Sequence, residues 1–198
     1  PEYHRPMHPA PTSPGFVVTA CRGPQGCEHR ALDPGGLPQR LDAALAGLDV
    51  TAGLTRLLGR PPKRHEQFTV SLSCCPNACS RPQIADVGLI AAQRPKADPA
   101  RCTRCGACRD ACRENAVVLE PSGRLDAVDE AACVACGACI AACPAEARSP
   151  GRSGWWVQLG GRLGRHPRLA EELPGLHTPD QAVEFTLRAA GYFLERAR

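Results

Sequence analysis

Aromatic residues are scarce in this chain: Phe, Trp and Tyr make up 4% of its 198 residues. With so few large flat side chains, the loops must be held by something besides packing. No apolar run is long enough to cross a membrane, and no secretory leader is visible at the start. No Lys/Arg stretch is interleaved with aromatics, and the formal net charge is +4 before any thiolate is counted. Neither a nucleic acid nor a membrane is therefore expected as a partner. Hydrophobic residues are 43% of the chain, enough for one sizeable domain or two small ones. The excess lies elsewhere, in 13 cysteines and 20 prolines. An odd cysteine count and repeated Cys-x2-Cys spacing fit a disulfide framework poorly. They point to a reduced, cytoplasmic, metal-binding chain.

The stretch that organises the chain is Cys74-Cys75-Pro76-Asn77-Ala78-Cys79-Ser80-Arg81-Pro82. It follows Phe68 to Leu72, where apolar and polar residues alternate as in a half-buried strand. Pro76 forbids a simple continuation of that strand, so Cys75 and Cys79 are set on a rigid turn, close enough to share one metal centre. Two further ligands are needed, and the obvious pair is Cys21 and Cys27. They flank Arg22-Gly23-Pro24-Gln25-Gly26, a tight loop after the strand candidate Phe16 to Ala20, with glycines that let backbone approach a cofactor.

The remaining elements follow from period and punctuation. Residues 1–15, rich in proline, read as an extended arm in which His4 and His8 are solvated rather than ligating. Leucines recur at helical spacing from Leu37 to Leu58, with Gly47 and Gly53 suggesting a division into two helices. Gln83 to Ala92 is expected to be a strand crossing the core, with a linker over 94–99 and a second linker over 149–151. Trp155 to Leu159 reads as a strand ending at Gly160-Gly161. Thr178, Pro179 and Gln181 form a cap, a first-turn proline and a capping box for a closing helix.

Residues 101–148 are an internal repeat. Cys102-x2-Cys105-x2-Cys108-x3-Cys112 is matched by Cys133-x2-Cys136-x2-Cys139-x3-Cys143, and the filler Gly106-Ala107 by Gly137-Ala138. This is the ferredoxin spacing for two [4Fe–4S] clusters, in which the fourth cysteine of each run crosses to the other cluster. One centre is then Cys102, Cys105, Cys108 and Cys143. The other is Cys133, Cys136, Cys139 and Cys112. Between the runs, 116–119 and 125–128 suggest a small hairpin. A pair of zinc sites is the rival reading, although zinc does not require this run twice.

The central quartet acquires meaning from a resemblance. Thr19-Ala20-Cys21-Arg22-Gly23-x3-Cys27 resembles the first cluster motif of the sulfite and nitrite reductase family. Cys75-Pro76-Asn77-Ala78-Cys79-Ser80-Arg81-Pro82, with Ile84 to Ile90, resembles its second, and Trp156 to Gly161 resembles the strand and glycine turn that follow. The resemblance covers nearly all of residues 16–198. It implies an α+β architecture: a sulfite-reductase-like half-domain, residues 16–95 with 150–198, interrupted by a ferredoxin-type domain at 100–148. It further implies a third [4Fe–4S] cluster on Cys21, Cys27, Cys75 and Cys79, with Cys79 also ligating the iron of a sirohaem and so acting as the catalytic ligand. Asn77, Arg22, Arg81 and Arg165 are the candidate sirohaem-binding residues, the arginines because that macrocycle is rich in carboxylates. Cys74 stands outside this scheme and reads as a buried free thiol.

Two departures bear on function. Members of the family carry a substantial segment before the first cysteine motif, so a partner chain or a homodimer is expected to supply that half. Sulfite reductases also place a Lys-x-Lys pair on the strand leading into the second motif, and the matching positions here are Gln67 and Thr69. The expected function is therefore a sirohaem-type oxidoreductase that takes electrons from a donor protein through the ferredoxin clusters. Its small-molecule substrate would be a sulfur or nitrogen species, sulfite or nitrite by family default. The alternative is a three-cluster electron-transfer subunit with no substrate site of its own. A tetrapyrrole-oxidising relative is a weaker third reading.

Overall fold

The structure, a computed structural model, describes residues 14–196. Most of the expected N-terminal arm, with His4 and His8, lies outside the described residues.

The larger unit is a five-stranded mixed sheet in the order β1-β2-β3-β6-β7. Strands β1 (Phe16–Ala20), β2 (Phe68–Ser73) and β3 (Val87–Ala97) are parallel, while β6 (Arg148–Leu159) and β7 (Glu171–Glu172) add antiparallel. The crossover from β1 to β2 carries α1 (Leu37–Gly47) and α2 (Val50–Leu58), two helices as the glycines suggested. The closing helix α5 (Pro179–Arg196) has its capping box: the Gln181 N–H donates to Thr178 Oγ1 (3.2 Å) and the Thr178 N–H to Gln181 Oε1 (2.9 Å).

These helices cover one face of the sheet. Leu37, Leu41, Leu45, Val50 and Leu54 meet Phe68, Val70, Leu72, Val87, Leu89, Trp155 and Val157, with Ala182 and Ala190 from α5 closing the layer. Each such aliphatic burial contributes about 2 kcal/mol, and the alternation along β2 explains why Phe68, Val70 and Leu72 share that face. Among the described residues, no helix is long and apolar enough to cross a membrane.

The two expected linkers are not linkers. Residues 94–97 continue β3, and 148–151 begin β6. These proline- and glycine-rich segments read as irregular one at a time. Together they pair as an antiparallel ribbon, Lys96 opposite Ser149 and Pro95 opposite Pro150, with an irregularity between Gln93 and Pro95. A proline contributes no ladder N–H, so it is tolerated at such a break. The strand expected from Gln83 starts later, at Val87. Arg81 is left-handed (φ 59°) and Pro82–Ile84 form a short 3-10 turn, against whose carbonyl Gly88 packs too closely for any side chain.

The ribbon carries the repeat as a second unit. It holds α3 (Ala107–Asp110), α4 (Ala138–Ala141) and the hairpin β4 (Val117–Leu119) with β5 (Leu125–Val128). Repeat-equivalent positions adopt the same uncommon backbone. Arg104 and Ala135 (φ 63° and 52°), Gly106 and Gly137 (78° and 74°), and Asn115 and Glu146 (53° and 52°) are all left-handed. Local strain of this kind is retained where surrounding geometry dictates it, so the two cysteine runs fold as copies in conformation as well as in sequence.

Candidate functional site

Cys21 is placed by the end of β1, where its N–H donates to the Leu72 carbonyl (3.0 Å). The 3-10 turn Gly23–Gln25 and left-handed Gly26 (φ 92°) then bring the chain round to Cys27. The second loop is held by serines. Ser80 Oγ donates to the Leu72 carbonyl (2.8 Å), Ser71 Oγ donates to the Ser80 carbonyl (2.6 Å), and Ser73 and Ser80 share a hydroxyl hydrogen bond (2.7 Å). Left-handed Ala78 (φ 52°) completes the turn. These bonds pin the segment from Cys75 to Ser80 onto the end of β2.

The structure brings Cys21, Cys27, Cys75 and Cys79 together. Burial pushes the Cys75 thiol up, the Asn77 N–H opposes it, and the neighbouring thiols of Cys79, Cys21 and Cys27 each push it further up. Cys21 Sγ accepts from the Gly23 N–H (3.3 Å) and the Cys74 N–H (3.2 Å). Asn77 Nδ2 donates to Cys79 Sγ (2.9 Å), and Cys79 is the exposed member of the set. Cys74 is fully buried behind them, its thiol pushed up to about 12 first by burial and then by Cys21. That is the neutral, inert thiol expected of it.

The repeat cysteines form two further quartets. Cys102, Cys105, Cys108 and Cys143 line one cavity, with the Arg104 N–H donating to Cys102 Sγ (3.4 Å). The Ala107 N–H holds the exposed Cys105 thiol below its ordinary value. Cys112 lines the other cavity with Cys133, Cys136 and Cys139 and accepts from the Ala116 N–H (3.3 Å). Burial raises the Cys139 thiol to about 11, and the thiols of Cys136, Cys133 and Cys112 add to that rise. Among the described residues, no three His, Cys, Asp or Glu side chains close on a single metal ion. The thiols ring cavities instead, with backbone N–H groups aimed at sulfur. That donor set fits a cubane better than a zinc ion bound at a point.

Sequence reasoning did not find how the central quartet and the Cys133 quartet meet. A single cavity of about 950 Å3 is lined by Cys75, Pro76 and Asn77 on one side and by Cys112, Cys133, Cys136 and Cys139 on the other, with His29, Arg30 and Gln93 at the junction. The contact is made by backbone, the Gln93 N–H donating to the Ala135 carbonyl (2.7 Å). No motif marks it, because it depends on where the ribbon sets the repeat down.

The candidate arginines divide. Arg22 and Arg81 adjoin cysteines of the central quartet and are exposed. Arg165 is exposed in a separate loop that is closed by Arg162 and Arg168 and hydrogen-bonded to Gln83 through Ala170. Among the described residues, no hydrogen bond or ion pair ties Arg165 to the cysteines. Gln67 and Thr69, at the expected Lys-x-Lys positions, serve the fold. Gln67 Nε2 donates to the Pro14 carbonyl (2.8 Å), and Thr69 donates to Asp86 through both its N–H (2.8 Å) and its hydroxyl (2.6 Å).

A family model described as the nitrite and sulphite reductase 4Fe-4S domain matches residues 16–197. A component of the anaerobic sulfite reductase of Salmonella typhimurium is 34% identical over 161 residues, 79% of this chain and 43% of that protein. The coenzyme F420-dependent sulfite reductase of Methanocaldococcus jannaschii is 35% identical over 75 residues, 36% of this chain and 12% of that protein. A crystal structure of dissimilatory sulfite reductase I is similar with a TM-score of 0.56 at 16% identity, covering 91% of this chain and 46% of that one. At that identity the likeness shows the fold alone. The chain spans less than half the length of the curated relatives it matches. With the family match running through both segments of the sheet unit and the repeat between them, the chain belongs to the nitrite and sulphite reductase 4Fe-4S domain family and is a sulfite-reductase-like iron–sulfur protein.

Proposed function

We propose that this chain carries electrons through three [4Fe–4S] clusters to a sirohaem held at Cys79, as part of an enzyme that reduces a small sulfur or nitrogen oxyanion such as sulfite or nitrite. The observation that carries the reading is the shared cavity, which runs without a break from Cys75 to the Cys112, Cys133, Cys136 and Cys139 quartet. In this reading the repeat is a ferredoxin module. The quartet at Cys102 is distal, the quartet at Cys133 is intermediate, and the central quartet receives the electron last.

The residues around Cys79 suit a sirohaem. Cys79 is exposed, so its sulfur is open to a second metal, and Asn77 Nδ2 holds it in place. Arg22 next to Cys21 and Arg81 two residues past Cys79 are exposed guanidinium groups that suit macrocycle carboxylates. Arg165 is a weaker member of the set. Sirohaem, when bound, supplies an iron at which a small anion exchanges electrons with the adjoining cluster. This chain's own part is to orient the Cys79 sulfur, to neutralise carboxylates through Arg22 and Arg81, and to hold Cys75 and Cys79 on the serine-pinned loop. A donor protein would reduce the repeat, and a second copy or a partner chain would complete the substrate side.

A second reading, an electron-transfer subunit without its own substrate site, is favoured by Gln67 and Thr69. Both are engaged with the fold rather than free to hold an anion. Cys79→Ser separates the two. Cys79 is exposed, so the substitution leaves the core intact. In protein reconstituted with sirohaem, the variant is expected to lose the haem bands and oxyanion reduction by an artificial donor, while the repeat clusters remain. Unchanged turnover and unchanged haem bands would overturn the assignment.

A further inference from the structure

Among the described residues of the repeat unit, Arg148 is the side chain whose burial runs against its chemistry. It is 2% exposed and stands with Trp155 among the largest fully buried side chains of the described residues. It begins β6, opposite Ala97 at the foot of the ribbon, and β6 packs against α4, which carries Cys139. The neighbouring Ala147 shares a small apolar cluster with Cys139. An arginine has five N–H donors. Here Nη2 reaches the Ala127 carbonyl (3.2 Å), and Nε is buried without a partner. No carboxylate pairs with the guanidinium among the described residues. A buried, permanently charged group without a counter-ion is strongly unfavourable, and an apolar side chain would fill the space without that cost.

The repeat supplies the comparison. Counting on from Cys112 and from Cys143, Ala116 corresponds to Ala147, and both are 1% exposed. The next position is Val117 in the first copy and Arg148 in the second. The charged residues that differ elsewhere between the copies, Arg104, Arg109, Asp110, Arg113, Glu114 and Glu146, are exposed; here a buried valine is matched by a buried positive charge.

A cluster in the Cys133 quartet would supply the counter-ion that the described residues do not. A cubane with four thiolates is an anion, and its negative charge grows by one when it is reduced. Net charge and hydrogen bonds around the sulfurs are what set its potential. Resting on the cluster reading above, we propose that Arg148 is the built-in counter-charge of the centre held by Cys112, Cys133, Cys136 and Cys139, and that it raises the reduction potential of this centre above that of the Cys102, Cys105, Cys108 and Cys143 centre. The consequence is a direction. One electron leaves the distal centre, which is oxidised, and reduces the centre beside Arg148, with no bond made or broken. The electron then sits in the cavity shared with Cys75. Arg148 acts as a positioning residue for charge and not as a ligand.

The test is a potentiometric titration of the holoprotein, followed by electron paramagnetic resonance, on Arg148→Met and Arg148→Lys, with iron and acid-labile sulfide counted on the same samples. Methionine keeps the bulk and removes the charge, whereas lysine keeps the charge. The expected result is full iron in both. One centre in the methionine variant becomes harder to reduce by at least tenfold in its equilibrium, about 59 mV for one electron, and the lysine variant stays near the parent. Loss of one cubane of iron in the methionine variant alone also supports the proposal, since the lysine shows that charge is what the site requires. Unchanged potentials with full iron in the methionine variant would overturn it, as would equal loss of iron in both variants, which would mark a packing role. Parent protein without iron in the repeat would defeat the cluster reading itself, a distinct outcome.

Discussion

Gly23 and Cys74 occupy one space. A methyl group on Gly23 would come within 2.2 Å of Cys74 Cβ and 2.3 Å of its Sγ, and both residues donate their N–H to Cys21 Sγ. The pair therefore sets how closely the first loop sits on the second. Gly23→Ala is expected to cost about 1–3 kcal/mol as an overpacked site and to release iron from the central quartet first. Cys74→Ala in the same chain removes the obstructing sulfur and should restore most of the melting temperature and the iron. A double variant no better than Gly23→Ala alone would show that the two residues are not coupled in this way. Cys74 stands out in the sequence as an odd, buried thiol, and the structure agrees. Its partner is not legible there, because the contact joins residues fifty-one positions apart (74 − 23) that become neighbours only through the parallel pairing of β1 with β2. Arg148 escapes for a related reason. The repeat announces itself through its cysteines and glycines, and the mismatch of Val117 against Arg148, one of several that change charge, gains meaning only once Arg148 is seen to be buried.

At the level of elements, helices and strands with a clear period were legible. The five residues of β1, the division of α1 from α2 and the capping box of α5 follow from spacing and caps alone. The ribbon was not. Its outer half contains Arg94, Pro95, Lys96, Pro150 and Gly151, a composition that reads as linker, and pairing overrides it. This gives β6 two duties: its outer half carries the repeat, and its inner half anchors in the core through Trp155 and Val157. Trp155→Ala should cost about 3–5 kcal/mol from the cavity left behind. The loss should appear as a lowered thermal midpoint of the sheet unit, with the repeat clusters retained until that unit melts. A midpoint within a degree or two of the parent would contradict Trp155 as the keystone of the core.

Over the described residues, the molecule is a sheet unit with the cysteine repeat suspended from it by two adjacent strands. Because Lys96 lies opposite Ser149 in antiparallel register, residues 97–148 can be replaced by an Asn-Gly turn, which suits a two-residue hairpin. The excised protein is expected to fold, to keep the central quartet and to bind iron for one cubane. It should lose reduction by donors that act through the repeat. An insoluble product, or one without iron, would mean that the two units depend on each other for folding. The two groups of repeat cysteines could be read from their spacing, because both runs are local and repeat each other. The cavity joining Cys75 to the Cys133 quartet could not, because it exists only once the ribbon has fixed the two units together.

The central claim is that each of the three thiol quartets holds a cubane and that Cys79 carries a haem beyond them. An anaerobic ultraviolet–visible spectrum of the purified protein, with iron and acid-labile sulfide counted on the same sample, tests it most directly. Iron and sulfide for three cubanes, iron in excess of sulfide, and sirohaem bands are the predicted result. Iron for fewer than three cubanes, or zinc in place of iron, would contradict the cluster assignment, and three full cubanes with no haem bands would contradict the role given to Cys79.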